Sequence, residues 1–110
     1  MSFFNVFDRE KSAQQSSGEP AEAQLNANVT GRVQGVGFRW WAKGEATPLG
    51  LVGYAKNLDD GSVEIVAQGS RENCQKLLDS LNSGNTAGHV DHVDAEIGDP
   101  QGSYRDFGTY

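Results

Sequence analysis

The chain has 110 residues, 36% of them hydrophobic, with a single cysteine and a formal net charge of -6. That length supports one modest core but no second domain, and one cysteine excludes an internal disulfide. From Leu25 onward there are 7 basic and 11 acidic side chains, so the basic stripe that nucleic-acid binding leaves is missing and a general attraction to membranes is unsupported.

In chain order, residues 1–24 are rich in Ser, Gln, Glu and Ala, show no sustained periodicity and carry Gly18 and Pro20 near their end. They are expected to form a disordered N-terminal extension. Phe3, Phe4, Val6 and Phe7 are too few and too interrupted for a signal-peptide core, which makes the cytoplasm the expected location. Residues 25 to 31 alternate Leu25, Ala27 and Val29 with Asn26, Asn28 and Thr30, the period-two pattern of a half-buried strand. A glycine-rich loop follows. Phe38, Trp41, Ala42, Ala46 and Leu49 then recur at helical spacing and predict a helix over 38 to 49, distorted by Pro48 in its last turn and closed by Gly50.

Residues 51 to 57 and 62 to 68 are expected to be strands joined at Asp59-Asp60-Gly61, a strong hairpin signal because Asp and Gly tolerate positive φ. Ser70 is positioned to cap a helix running to about Asn82, with Gly84 as the stop. Cys74, Leu77, Leu78 and Leu81 make its apolar stripe, which assigns the thiol to core packing rather than nucleophilic chemistry. Strands over 90 to 97 and 105 to 110 complete the set. The order gives an α+β domain over 25–110, a ferredoxin-like βαββαβ sandwich with an antiparallel sheet and both helices on one face.

The chemistry concentrates in Gly31-Arg32-Val33-Gln34-Gly35-Val36-Gly37-Phe38-Arg39. A cation where a loop turns into a helix is disfavoured by the helix dipole, by roughly 0.3 to 1 kcal/mol. The placement is sensible when an anion lies between the two. Gly35 and Gly37 let several N–H groups converge, and the helix beginning near Phe38 adds its own unpaired donors, so Gln34, Gly35, Val36, Gly37 and Phe38 form a candidate phosphate cradle beside Arg39. Asn57 follows 18 positions after Arg39; by itself it suits a turn residue ahead of Asp59-Asp60-Gly61. The pattern His89-Val90-Asp91-His92-Val93-Asp94 suggests metal ligands, but alternation on a strand sets His89 and Asp91 against His92 and Asp94. One ion cannot collect all four without a bulge, and no metal or other cofactor is expected.

The run GRVQGVGFR, the segment LGLVGY, Asn57 and the hairpin DDGSVE, in that order and spacing, resemble the acylphosphatase family over residues 25 to 110. The resemblance implies a ferredoxin-like fold and hydrolysis of acyl phosphates to a carboxylate and inorganic phosphate. It matches Arg39 to the family's phosphate-binding arginine and Asn57 to its water-orienting asparagine. It also implies a small-molecule acyl phosphate as the partner; a monomer is expected, and the acidic balance argues against nucleic acid and membrane. Departures lie at Pro48 and at Gly108-Thr109, neither in the proposed site. A catalytically silent phosphate-binding module on the same fold is the alternative. An RNA-binding sheet is the third reading, opposed by the absence of aromatics in 25 to 31 and 62 to 68.

Overall fold

The computed structural model describes residues 20–110, and the part of the N-terminal extension up to Glu19 lies outside the described residues. Alternation along the first strand carries it further than expected in both directions: β1 spans Ala23–Arg32. Ala23 and Gln24, placed by composition with the extension, pair with Gly69 and Gln68 instead. The remaining elements are α1 (Phe38–Ala46), β2 (Val52–Asn57), β3 (Val63–Gly69), α2 (Arg71–Leu81), β4 (His89–Gly98) and β5 (Phe107–Thr109).

The sheet order is β4-β1-β3-β2-β5. The first four strands are antiparallel throughout, which is the expected ferredoxin-like core, while β5 adds parallel to β2 and makes the sheet mixed. Leu25, Ala27 and Val29 on β1 stand opposite Ala67, Ile65 and Val63 on β3. These six form one buried cluster with Phe38, Ala42 and Ala46 of α1 and Cys74, Leu77 and Leu81 of α2, so both helices cover the same face. Phe38 is among the largest fully buried side chains, and burial of this kind contributes about 1.5–3 kcal/mol for each such residue.

The first helix stops earlier than its periodicity suggests. Thr47, Pro48 and Leu49 form a separate 3-10 turn with Pro48 in its first turn, where a missing N–H costs nothing. Gly50, at φ 72, reverses the chain into β2. At α2 the Ser70 hydroxyl accepts from the Asn73 amide at 3.0 Å, the expected cap. Cys74 is fully buried beneath that helix, and desolvation pushes its thiol up from its ordinary pKa.

The His–Asp alternation does contain a bulge, since Thr30 pairs with His92 and Gly31 with Val90, leaving Asp91 over. It brings His89 Nε2 within 3.2 Å of Asp91 Oδ1. Among the described residues no group of three or more His, Cys, Asp or Glu side chains is arranged to hold a metal ion.

The second sheet face carries no helix. Tyr54 lies there, donating its hydroxyl to Glu64 Oε1 at 3.2 Å and packing edge-on against Tyr104 and Tyr110. Burial first, and then the Glu64 charge, push its phenol up to about 12 from 10.0. A group with a raised folded pKa contributes stability that is complete below its unfolded value and is lost as pH rises through the folded one. An absorbance titration at 295 nm is therefore expected to show one tyrosine ionising near pH 12, with stability falling between pH 10 and 12. Ionisation of Tyr54 at the ordinary value of 10.0 would contradict this packing.

Candidate active site

β1 delivers the loop and the core fixes both of its ends: Val33 before it and Phe38 after it are 1% exposed. Between them the chain bends through Gly35 (φ 77) and Gly37 (φ 83). A Cβ placed on either would meet nothing within 4 Å. Backbone conformation, not space, therefore selects glycine, and a side chain there costs about 1–2 kcal/mol. Gly37 is the N-cap of α1 and offers no side-chain cap. The backbone N–H groups from Gln34 to Trp40 make no hydrogen bond to another described residue, leaving a run of unpaired donors at the positive end of a helix.

Gln34 plays a part the sequence does not show. Its Nε2 donates to the carbonyls of Leu58 and Ser62, both at 2.8 Å, so its side chain fastens the loop to the β2–β3 hairpin. That hairpin is rigid in turn. Asp60 Oδ1 accepts from the Ser62 hydroxyl and amide at 2.5 and 2.9 Å, bonds that hold the Asp60 carboxyl below its ordinary pKa. Ser62 Oγ also accepts from Asn28 Nδ2 at 3.0 Å. Loop and hairpin consequently form one unit, and Asn57 ends β2 where the two meet.

Arg39, in the first turn of α1, and Asn57 are 18 positions apart but meet on one atom. The main-chain oxygen of Tyr110 accepts from Arg39 Nη1 at 2.6 Å and from the Asn57 amide at 3.1 Å. The Tyr110 amide donates to Ala55 at 2.8 Å, which fixes that oxygen through β2. One guanidinium nitrogen is thereby held while the rest of the fork remains for a ligand. Nothing in the sequence marks this contact, because a main-chain oxygen has no residue signature; the strand expected over 105 to 110 was the one available signal.

Asn57 Oδ1 is the one buried side-chain polar atom among the described residues without a hydrogen-bond partner. A buried acceptor left unpaired costs about 1–3 kcal/mol, and such groups concentrate where a ligand or reacting water supplies the bond. Trp41 packs on Phe38 with ring centroids 5.4 Å apart, whereas Trp40 is 62% exposed beside Lys43. A depression of about 340 Å³ on the helix-free face is lined by Asn26, Asn28, Glu64, Asp94 and Glu96. Its carboxylates repel a phosphate, so this depression does not suit an anion.

Comparison with known proteins identifies the family and the fold. The sequence profile of the acylphosphatase family matches residues 25–109. An acylphosphatase of Mycolicibacterium vanbaalenii is 58% identical over 80 residues, covering 73% of this chain and 86% of the relative. The crystal structure of acylphosphatase from Bacillus subtilis superposes with a TM-score of 0.74 at 32% identity, over 80% of this chain and 98% of that one. An acylphosphatase structure from Coxiella burnetii gives 0.71 at 35% identity, over 82% and 94%. Identity above half with a relative covered over most of its length, on a shared fold, places this chain in the acylphosphatase family, as an enzyme that hydrolyses acyl phosphates.

Proposed function

We propose that the amides of Gln34, Gly35, Val36, Gly37 and Phe38, together with Arg39, bind the phosphoryl group, and that Asn57 orients the attacking water. The observation that carries this is the shared Tyr110 oxygen, which sets the Arg39 fork and the Asn57 backbone beside a loop of unpaired amides.

The chemistry asks for little more. An acyl phosphate expels a stable carboxylate, so the leaving group needs no proton, and a loose phosphoryl transition state makes modest demands on its nucleophile. Positioning and charge stabilisation then supply most of the catalysis. Loop amides and guanidinium hold the equatorial oxygens, and the Asn57 side-chain amide at the end of β2 hydrogen-bonds the water and holds its lone pair toward phosphorus, in line with the leaving oxygen. An amide is no base, so the proton passes to the substrate's own phosphate or to solvent. A pH–rate profile governed by an enzyme base near neutrality would contradict that step.

In this reading the enzyme is a cytoplasmic monomer that needs no metal and binds neither nucleic acid nor membrane, its affinity for anions being local to the loop on an otherwise acidic chain. Its substrates share the acyl phosphate group. The silent-module alternative explains a cradle but gives no use for an unpaired Asn57 Oδ1. Titration of the 15N-labelled chain with inorganic phosphate tests the site. The largest shifts are expected in the Gln34–Phe38 amides and the Arg39 side chain; shifts centred on the helix-free face would overturn the assignment.

A further inference from the structure

The chain from β4 to β5 must travel from one edge of the sheet to the other, because these strands lie at opposite ends of the order β4-β1-β3-β2-β5. Residues 99–106 make that crossing, and two glutamines hold it down. Gln24 and Gln68 face each other across β1 and β3, in a row that continues to Gly98 on β4 and Val52 on β2. Their neighbours Leu25 and Ala67 point into the core, so alternation turns both glutamines to the helix-free face. There they are only 3% and 4% exposed.

All but one of the side-chain bonds in this group reach either the crossing or the partner glutamine. Gln68 Nε2 lies 2.8 Å from Gln24 Oε1 and 3.1 Å from each of the carbonyls of Gln101 and Gly102. Gln24 Oε1 also accepts the Gln101 amide at 2.8 Å, and Gln24 Nε2 donates to Asn26 Oδ1 at 2.8 Å. Two buried side-chain amides thus fix the main chain at Gln101 and Gly102, and a buried amide that loses its partner is costly.

The strand delivered by that crossing is short, and its main-chain bonds, from Asp106 to Tyr110, all go to β2. β5 is 3 residues long and pairs parallel with β2 on one side only, and parallel pairing is the weaker kind. Phe107 is its one residue in the core. Yet its continuation, Tyr110, carries the oxygen that holds Arg39 and the Asn57 amide. A slip of one residue along β2 would move that oxygen by about 3.3 Å, enough to break its bond to Arg39.

We infer that Gln68, with Gln24, is a positioning residue for acyl phosphate hydrolysis: by fixing the 99–106 crossing it sets the register of β5, and so the place of the Tyr110 oxygen that aims Arg39. Gln68 pairs with Val52 and Val63 with Asn57, so the action runs along β2 for about 16 Å. The inference rests on Arg39 binding the phosphoryl group.

A double-mutant cycle in the full chain tests it, comparing Gln68→Ala, removal of Tyr110, both together, and Arg39→Ala as reference. With the circular dichroism of the folded chain retained, Gln68→Ala is expected to lower kcat/KM for benzoyl phosphate, and to weaken inhibition by inorganic phosphate, by roughly 3- to 30-fold. Weakened inhibition separates positioning from a loss of folded enzyme, which lowers kcat alone. In the chain lacking Tyr110, Gln68→Ala should have no further effect on either constant. Independent, multiplicative losses would overturn the inference, as would unchanged phosphate inhibition in the single variant. Should Gln68→Ala fail to fold, Gln24→Ala carries the same cycle, since it removes the Gln101 amide contact. Full activity in Arg39→Ala would overturn the phosphate assignment itself, a result distinct from any outcome of the cycle.

Discussion

Asn57→Ala is expected to abolish turnover while leaving the fold and the phosphate site intact. The side chain contributes no hydrogen bond to another described group through Oδ1, so truncation removes an unpaired buried acceptor rather than a structural contact. The Asn57 amide that bonds the Tyr110 oxygen is backbone and survives the change. Thermal stability should therefore stay level or rise slightly, because an orphaned acceptor was costing about 1–3 kcal/mol. Catalysis should suffer heavily, since loss of alignment of a reacting water costs about a hundredfold or more. Steady-state hydrolysis of benzoyl phosphate, inhibition by inorganic phosphate and a thermal melt on one preparation decide the matter. A fall in kcat with unchanged phosphate inhibition and an unchanged or higher Tm is the expected pattern. A variant that retained kcat would remove Asn57 from the reaction, and one that lost phosphate binding would make it a ligand of the phosphoryl group instead.

Such a trade between stability and activity explains which parts of the site could be found in the sequence. Gly35, Gly37 and Arg39 announce themselves because they break local rules: two glycines crowd the approach to a helix, and a cation opens that helix against its dipole. Asn57 breaks no rule by itself, and the hairpin behind it explains it equally well; only the family resemblance singled it out. The buried Oδ1 supplies a physical reason that the sequence lacked.

The parts that stayed hidden are long-range and carried by the backbone. Tyr110 acts through its main-chain oxygen, which any residue at that position would provide. Gln24 and Gln68 occupy the polar phase of two alternating strands, where an exposed glutamine and a buried clamp give the same pattern. What covers them is a segment 33 residues beyond Gln68 and 77 beyond Gln24 that has no regular structure of its own. Gln34 was placed in the cradle by position, but its side chain turned out to bind the hairpin. Local signals placed β1 to β4 and both helices within a few residues, whereas the early start of β1 depends on cross-strand partners at Gly69 and Gln68. The parallel pairing of β5 likewise depends on β2, which lies some 50 residues back in the chain.

Arg39→Ala is expected to lose turnover and phosphate affinity together. The guanidinium is anchored to the Tyr110 oxygen through Nη1 at 2.6 Å, and in the proposed site its remaining donors hold the phosphoryl group. An arginine stabilising a phosphoryl transition state is worth roughly 10³- to 10⁵-fold in kcat, and the acidic chain around this one supplies no general positive field to replace it. Arg39→Lys sharpens the test. A lysine keeps the charge but offers a single ammonium on a flexible stem, which cannot span the Tyr110 oxygen and two phosphoryl oxygens in a planar fork. It should therefore recover part of the phosphate inhibition and little of kcat. If charge alone explained the site, the lysine variant would approach the activity of the intact chain. Recovery of affinity without turnover would instead show that the geometry fixed by Tyr110, and not the charge it orients, is what the reaction requires.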